Sequence, residues 1–352
     1  MGRVSRVVAV LAAVGMLFSG GGLASAAEST GPAPGGASQC VPGRSTIAQC
    51  FPDKVLAQEI AYELKGDTGR TGAVLTSKDV EHTGELSFPT SVSSVQGLQV
   101  FTNLTSLGLN STRVSDVSPL SKLVKLTQLN LAGTRVSDVS PLSKLVNLKE
   151  LWLDETGVSD VSPLSKLVNL KKLGLQDTRV SDVSPLSKLT NLTTLRLAST
   201  GVSDVSPLSK LTNLTDLSLT ATRVSDLSPL SKLVNLTDLG LDFTGVSDVS
   251  PLSKLTNLGR LFLQDTRVSD VSPLSNLANL RLRGLYLDGT RVLDLSPLSK
   301  LKLNWCSELD CGEYGSSAQY LGPSVKLTVN ADGSVSLPAP RWTDGSFVAP
   351  SS

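Results

Sequence analysis

From Leu104 onward the chain repeats itself every 22 residues, and that period restricts its fold more than any other feature. The units start at Leu104, Leu126, Leu148, Leu170, Leu192, Leu214, Leu236, Leu258 and Leu280. The first reads LTSLGLNSTRVSDVSPLSKLVK, with apolar residues at Leu104, Leu107, Leu109, Val114, Val117, Leu120 and Leu123. Hydrophobic residues make up 40% of the chain but aromatics only 4%, so the interior has to be aliphatic. One unit of this size cannot cover its own Leu layer, and ordering it alone costs more entropy than it recovers. Stacking units adds hydrogen bonds between strands and covers both flanks of each layer, which shifts the balance.

Local signals place the elements within a unit. Leu107-Gly108-Leu109 alternates with period two and reads as a strand with Gly108 facing outward. Thr112 recurs in every unit, through Thr134, Thr266 and Thr290, where a hydroxyl can bond the turning backbone. Ser118-Pro119-Leu120 reads as a cap followed by Pro at the first helical position, and the stretch to Leu123 is long enough only for a 3₁₀ turn. The Asp116 and Lys122 columns fall on the outer side and read as a solvated, charge-balanced back. This is the leucine-rich-repeat pattern. It predicts a solenoid of the α/β type, with a parallel β-sheet on the concave face and short 3₁₀ turns on the convex face. Residues 104–303 hold nine units, the last 24 residues long because Arg281-Leu282-Arg283-Gly284 carries two extra.

The flanks are read separately. Arg3 and Arg6, the apolar run Val7 to Phe18 and Ala24-Ser25-Ala26 form an export signal over residues 1–26. Residues 27–44 read as a linker. No second run of membrane length follows, and Leu337-Pro338-Ala339-Pro340 departs from a wall-sorting signal, so a secreted, extracellular protein is expected. Four Cys in an exported chain suggest disulfides. Parallel strands stack about 4.8 Å apart, which sets the two ends of nine units roughly 40 Å apart. Only Cys40 with Cys50 and Cys306 with Cys311 can then pair, one staple at each end. The 32 basic and 31 acidic side chains balance, which argues against nucleic acid and anionic membrane as partners.

The unit VSDVSPLSKLxNL at its 22-residue spacing resembles the internalins and related bacterial surface proteins. Ile47-Ala48-Gln49-Cys50-Phe51-Pro52-Asp53 and the segment after it are similar to that family's helical N-terminal cap. Asp53 is placed to cap a helix from about Lys54 to Leu64, whose Val55, Leu56, Ile60 and Leu64 would cover the first repeat. Val92, Val95, Leu98 and Phe101 follow the back half of the repeat, so residues 45–103 are read as a cap with an incomplete unit. Residues 304–324 are taken as a C-terminal cap. Residues 325–352 faintly resemble the start of an immunoglobulin-like module and are taken as a partly ordered tail. The resemblance implies a curved solenoid that binds a host or cell-surface protein, without naming the ligand.

Comparing the units shows where function can sit. The core and the Ser-Asp-Val-Ser-Pro-Leu back barely change, while the outward strand positions vary freely. The array's four aromatics, Trp152, Phe243, Phe262 and Tyr286, all fall at outward strand or strand-end positions. Around them lie Glu150, Asp154 and Glu155, then Asp216, Asp238, Asp242 and Asp288, an acidity that suits a partner with basic groups. Lys172, Arg196 and Arg260 interrupt it and are expected to set register. Exposed aromatics commonly anchor protein interfaces, so these residues form the candidate binding face. A second reading takes the Thr column as an ice- or polymer-binding array. Enzyme chemistry has little footing: one histidine, His82, has no companion, and a flat sheet offers no enclosed pocket. A monomer without metal or cofactor is expected.

Overall fold

The computed structural model describes residues 40–280, 284–299 and 301, with two short strands at 328–329 and 335–336. The expected export signal, most of the expected linker, Arg281 to Arg283 and the expected Cys306–Cys311 pairing lie outside the described residues, as do the expected C-terminal cap and most of the tail.

The cap opens the fold. Helix α1 (Ile47–Cys50) is closed by a capping box in which Thr46 accepts from Gln49 N and the Gln49 side chain accepts from Thr46 N. Helix α2 (Lys54–Lys65) starts at Asp53, whose Oδ1 accepts from Val55 N and Leu56 N. Its Leu56 and Ile60 are fully buried and its Val55 and Leu64 partly so, as the pattern predicted. The other oxygen of Asp53 accepts from Ser93 N, Ser93 Oγ and Ser94 N, tying the helix start to the first turn of the array. Burial opposes ionisation of Asp53, but these hydrogen bonds together outweigh it and hold the carboxyl below its usual range. Cys40 and Cys50 form the expected disulfide, with Cα atoms 4.8 Å apart. Helix α3 (Ser77–His82) follows.

Ten short strands then pair in one open parallel sheet in chain order. They are β1 (Glu85–Ser87), β2 (Ser106–Gly108), β3 (Gln128–Asn130), β4 (Glu150–Trp152), β5 (Lys172–Gly174), β6 (Thr194–Arg196), β7 (Asp216–Ser218), β8 (Asp238–Gly240), β9 (Arg260–Phe262) and β10 (Leu285–Tyr286). Every pairing is in register, so Leu107 faces Leu129, then Leu151, and so on to Leu261 and Leu285. Strand β1 was not foreseen: Leu86 and Phe88 stand in for Leu107 and Leu109, and the unit read as incomplete carries a strand of its own. Two further strands, β11 (Thr328–Val329) and β12 (Val335–Ser336), pair antiparallel with each other.

The seven apolar positions of the first unit are all at most 1% exposed, so the interior is the continuous Leu/Val stack that the period required. Each turn also ties itself down. Thr112 Oγ1 donates to Leu109 O at 2.7 Å, and Thr134 through Thr290 repeat the bond. In most units an Asn joins neighbours, as where Asn147 Nδ2 donates to Val124 O at 2.8 Å.

On the back, the 3₁₀ turns run from Ser118–Lys122 and its equivalents. Ser118 is the first residue of its turn and not its cap. Asp116 does the capping: its Oδ1 accepts from Ser118 N at 2.8 Å and its Oδ2 from Ser118 Oγ at 3.0 Å. The aspartate column is therefore structural as well as solvated. Backbone and then hydroxyl donation from the following Ser holds the carboxyls of Asp138, Asp204, Asp226, Asp270 and Asp294 below their usual range.

Candidate protein-binding face

Along each three-residue strand the first and third residues face away from the core, giving two outward columns, which the alternate residue beyond each strand, such as Asp154 or Asp242, extends by a third. Parallel in-register pairing lays the columns straight across the strands. Beside them runs a rim where the chain leaves the sheet in the left-handed conformation. Ser111, Glu155, Asp177, Ser199, Ala221, Phe243 and Asp265 all have φ between 53° and 58°, and Gly133 and Gly289 take the same place in their units. Only glycine adopts this conformation without steric cost.

Two groups of large side chains stand on the face. In the first, Trp152 lies across Gly174, its neighbour on β5. A Cβ at position 174 would sit 2.6 Å from Trp152 Cε3 and would collide with the Asp154 carboxylate. The missing side chain lets Arg196, one strand further on, bring its guanidinium to 5.0 Å from the Trp152 ring. Asp154 Oδ1 accepts from Gln176 N at 3.0 Å. Burial raises the Asp154 carboxyl, against the pull of that hydrogen bond and of nearby Arg196. Lys172 pairs with Glu150 at 3.1 Å. Glu155 is exposed on the rim.

In the second group, Phe262 and Tyr286 stack with ring centres 4.5 Å apart and planes 8° from parallel. Arg260 is paired with Asp238. Asp216 and Asp238 each accept from the hydroxyl of the preceding Thr, at 2.6 and 2.8 Å. Asp242 is only 8% exposed; its Oδ1 accepts from Gln264 N at 3.0 Å, and burial raises its carboxyl. Phe243 sits on the rim, 60% exposed with φ 56°, and Asp288 is half-buried after β10.

Between the groups lies a depression of about 350 Å³, floored by Ser218 and Gly240 and walled by Arg196, Asp216, Asp242 and Phe262. The acidity read from the sequence is thus partly answered within the chain, since Glu150 and Asp238 already carry cations. Sequence reasoning passed over Gly174, Gly240 and Ser218. The signal was present: a residue without bulk next to an aromatic in the same column. The Thr column, in contrast, is buried, with its hydroxyls spent on backbone carbonyls. It offers no outward array for ice or a polymer.

A family model for leucine-rich repeats in two copies matches residues 102–144, 125–166, 146–188, 168–210 and 190–232, and with the open parallel sheet this defines the class, a leucine-rich-repeat protein. An internalin (inlF) of Listeria monocytogenes is 35% identical with a TM-score of 0.71, over 75% of this chain and 78% of that one. The chain belongs to the internalin family of bacterial leucine-rich-repeat proteins. Internalin C2 (inlC2) of the same species is 34% identical with a TM-score of 0.53, over 69% of this chain and 97% of that one. A leucine-rich-repeat protein of Leptospira interrogans shares the fold at 23% identity and a TM-score of 0.56, over 62% of this chain and 58% of that one. No curated protein sequence matches the chain. No helix among the described residues is long and apolar enough to cross a membrane.

Proposed function

We propose that this chain is an exported recognition module that binds a protein of a host or another cell surface through its concave sheet face. It acts by adhesion and carries out no reaction. The observation that carries this reading is Phe243. A large apolar ring stands 60% exposed on a backbone conformation that favours glycine, at a position where two other units use glycine. Six other units carry Ser, Glu, Asp or Ala in the same conformation, and among these only Phe243 sets a large apolar side chain in solvent, the kind of residue that anchors interfaces. The Phe262–Tyr286 stack and the Trp152–Arg196 pair add rigid, amphipathic contact area of the kind that anchors interfaces.

The test is capture of a partner from surface-protein extracts with the intact chain, followed by Trp152→Ala, Phe262→Ala and Tyr286→Ala. Each is expected to weaken binding at least tenfold, the usual scale for a central anchor of about 1.4 kcal/mol or more. Circular dichroism should be unchanged. Unaltered affinity in all three variants sinks the reading.

A further inference from the structure

Two clusters on the sheet face each combine an aromatic ring, a neighbouring glycine and a carboxylate, in opposite order along the array, and only the first holds a guanidinium against its ring. In the first, Trp152 and Gly174 are column neighbours, Asp154 stands beside them with Oδ1 on Gln176 N, and the cation of Arg196 lies against the ring. In the second, Gly240 and Phe262 are column neighbours, and Asp242 stands beside them with Oδ1 on Gln264 N at the same 3.0 Å. Tyr286 covers one face of Phe262. Phe262 and Gly240, neighbours in one column, both line the depression of about 350 Å³, which Tyr286 does not. Asp242 is more than nine-tenths buried, and its Oδ2 meets only the Thr220 hydroxyl, at 3.4 Å. The two nearby guanidinium groups are engaged elsewhere, Arg260 on Asp238 and Arg196 on Trp152.

Resting on the sheet-face reading above, the geometry points to the Asp242–Gly240–Phe262 depression as the receptor for an arginine side chain of the protein partner. The planar guanidinium stacks on Phe262, as that of Arg196 lies against Trp152 within the chain, and donates to Asp242 Oδ2. Arginine is favoured over lysine because it can stack and donate at once, while an ammonium group is a compact, strongly hydrated point charge. Ser218 and Gly240 leave the floor open for the aliphatic stem.

The probe is the blocked peptide acetyl-Gly-Arg-Gly-amide, titrated into the labelled full chain and followed by NMR at the Gly240 and Gln264 amides and the Phe262 ring. Saturable shifts at these three positions are expected. The citrulline peptide, which keeps the shape and loses the charge, should bind at least tenfold more weakly, and the lysine peptide at least threefold more weakly. Asp242→Asn and Phe262→Leu, checked for an unchanged melting midpoint, should each weaken the arginine peptide at least fivefold. Equal binding of the citrulline or lysine peptide overturns the arginine receptor, as do shifts confined to the Asp154 and Glu155 region or absent altogether. None of these results touches the sheet-face reading, which falls only if the three aromatic variants keep full affinity for the captured partner.

Discussion

Phe243, Asp154 and Asp242, all on the proposed binding face, are each held at a cost to the free protein. For Phe243 the cost is the left-handed backbone. Phe243→Gly relieves roughly 1–2 kcal/mol of steric strain and returns about half of it as chain entropy. We expect a stability gain of about 0.5–1 kcal/mol by urea unfolding, together with weaker partner binding. For the two carboxylates the sign follows from burial. Their folded pKa values lie above the ordinary range, so the stability they contribute is present at acid pH and lost as pH rises through those values. Asp138, Asp204, Asp226, Asp270 and Asp294 behave oppositely. Their pKa values are depressed by bonds from the following Ser, so what they contribute is present above the ordinary aspartate range and lost as pH falls through the folded values. Urea midpoints measured against pH should fall on the acid side. Replacing these five by Asn should flatten that fall, whereas Asp154→Asn and Asp242→Asn should leave stability at neutral pH intact. Because Asp53 and Asp79 are depressed too and sustain part of the acid limb, a limb left unchanged by the five replacements would remove the column from the account.

At the scale of the element, the glycine of β5 decides how the strands on either side of it interact. Gly174→Ala places a methyl against Trp152 and Asp154 and should cost about 1–3 kcal/mol through overpacking. It should also swing the indole away from Arg196, read as a change in tryptophan fluorescence and in partner affinity. Unchanged fluorescence would mean that the ring does not depend on the gap. Elements of this size were legible in the sequence to different degrees. The strands, the 3₁₀ turns and the Thr hydroxyl bonds follow from a period of 22 residues and from side-chain chemistry that acts within one turn. Helix α2 was legible because Asp53 and the apolar spacing act locally. Strand β1 was hidden because Phe88 takes a Leu position and the unit is one residue short of the period. The cap of the back turns was assigned to Ser118 when both oxygens of Asp116 were available two residues earlier. The Trp152–Arg196 contact spans three strands, and no pattern along one strand reveals which long side chain leans across a gap.

For the whole molecule, the outward residues matter through their separation. Trp152 and Phe262 stand five strands apart, with the depression between Arg196 and Phe262. A deletion of residues 198–219 removes one unit and joins Leu197 to Thr220 with the period intact. Because each unit touches only its neighbours, the shortened array should still fold and melt cooperatively. It should nevertheless lose partner affinity by at least tenfold, since the two groups move about 4.8 Å closer and the floor loses Ser218. Retained affinity would show that one group alone suffices.

The register of β1 to β10 carries a last implication. With every strand aligned to the next without offset, the face is a mesh whose spacing along the array is set by backbone hydrogen bonding and cannot be tuned by side chains. Point substitution changes what stands at a node, but only gain or loss of a full unit moves one node relative to another. A partner must therefore match distances that come in whole steps, and variants of this protein with new specificities should differ either by residues at fixed nodes or by integral numbers of units.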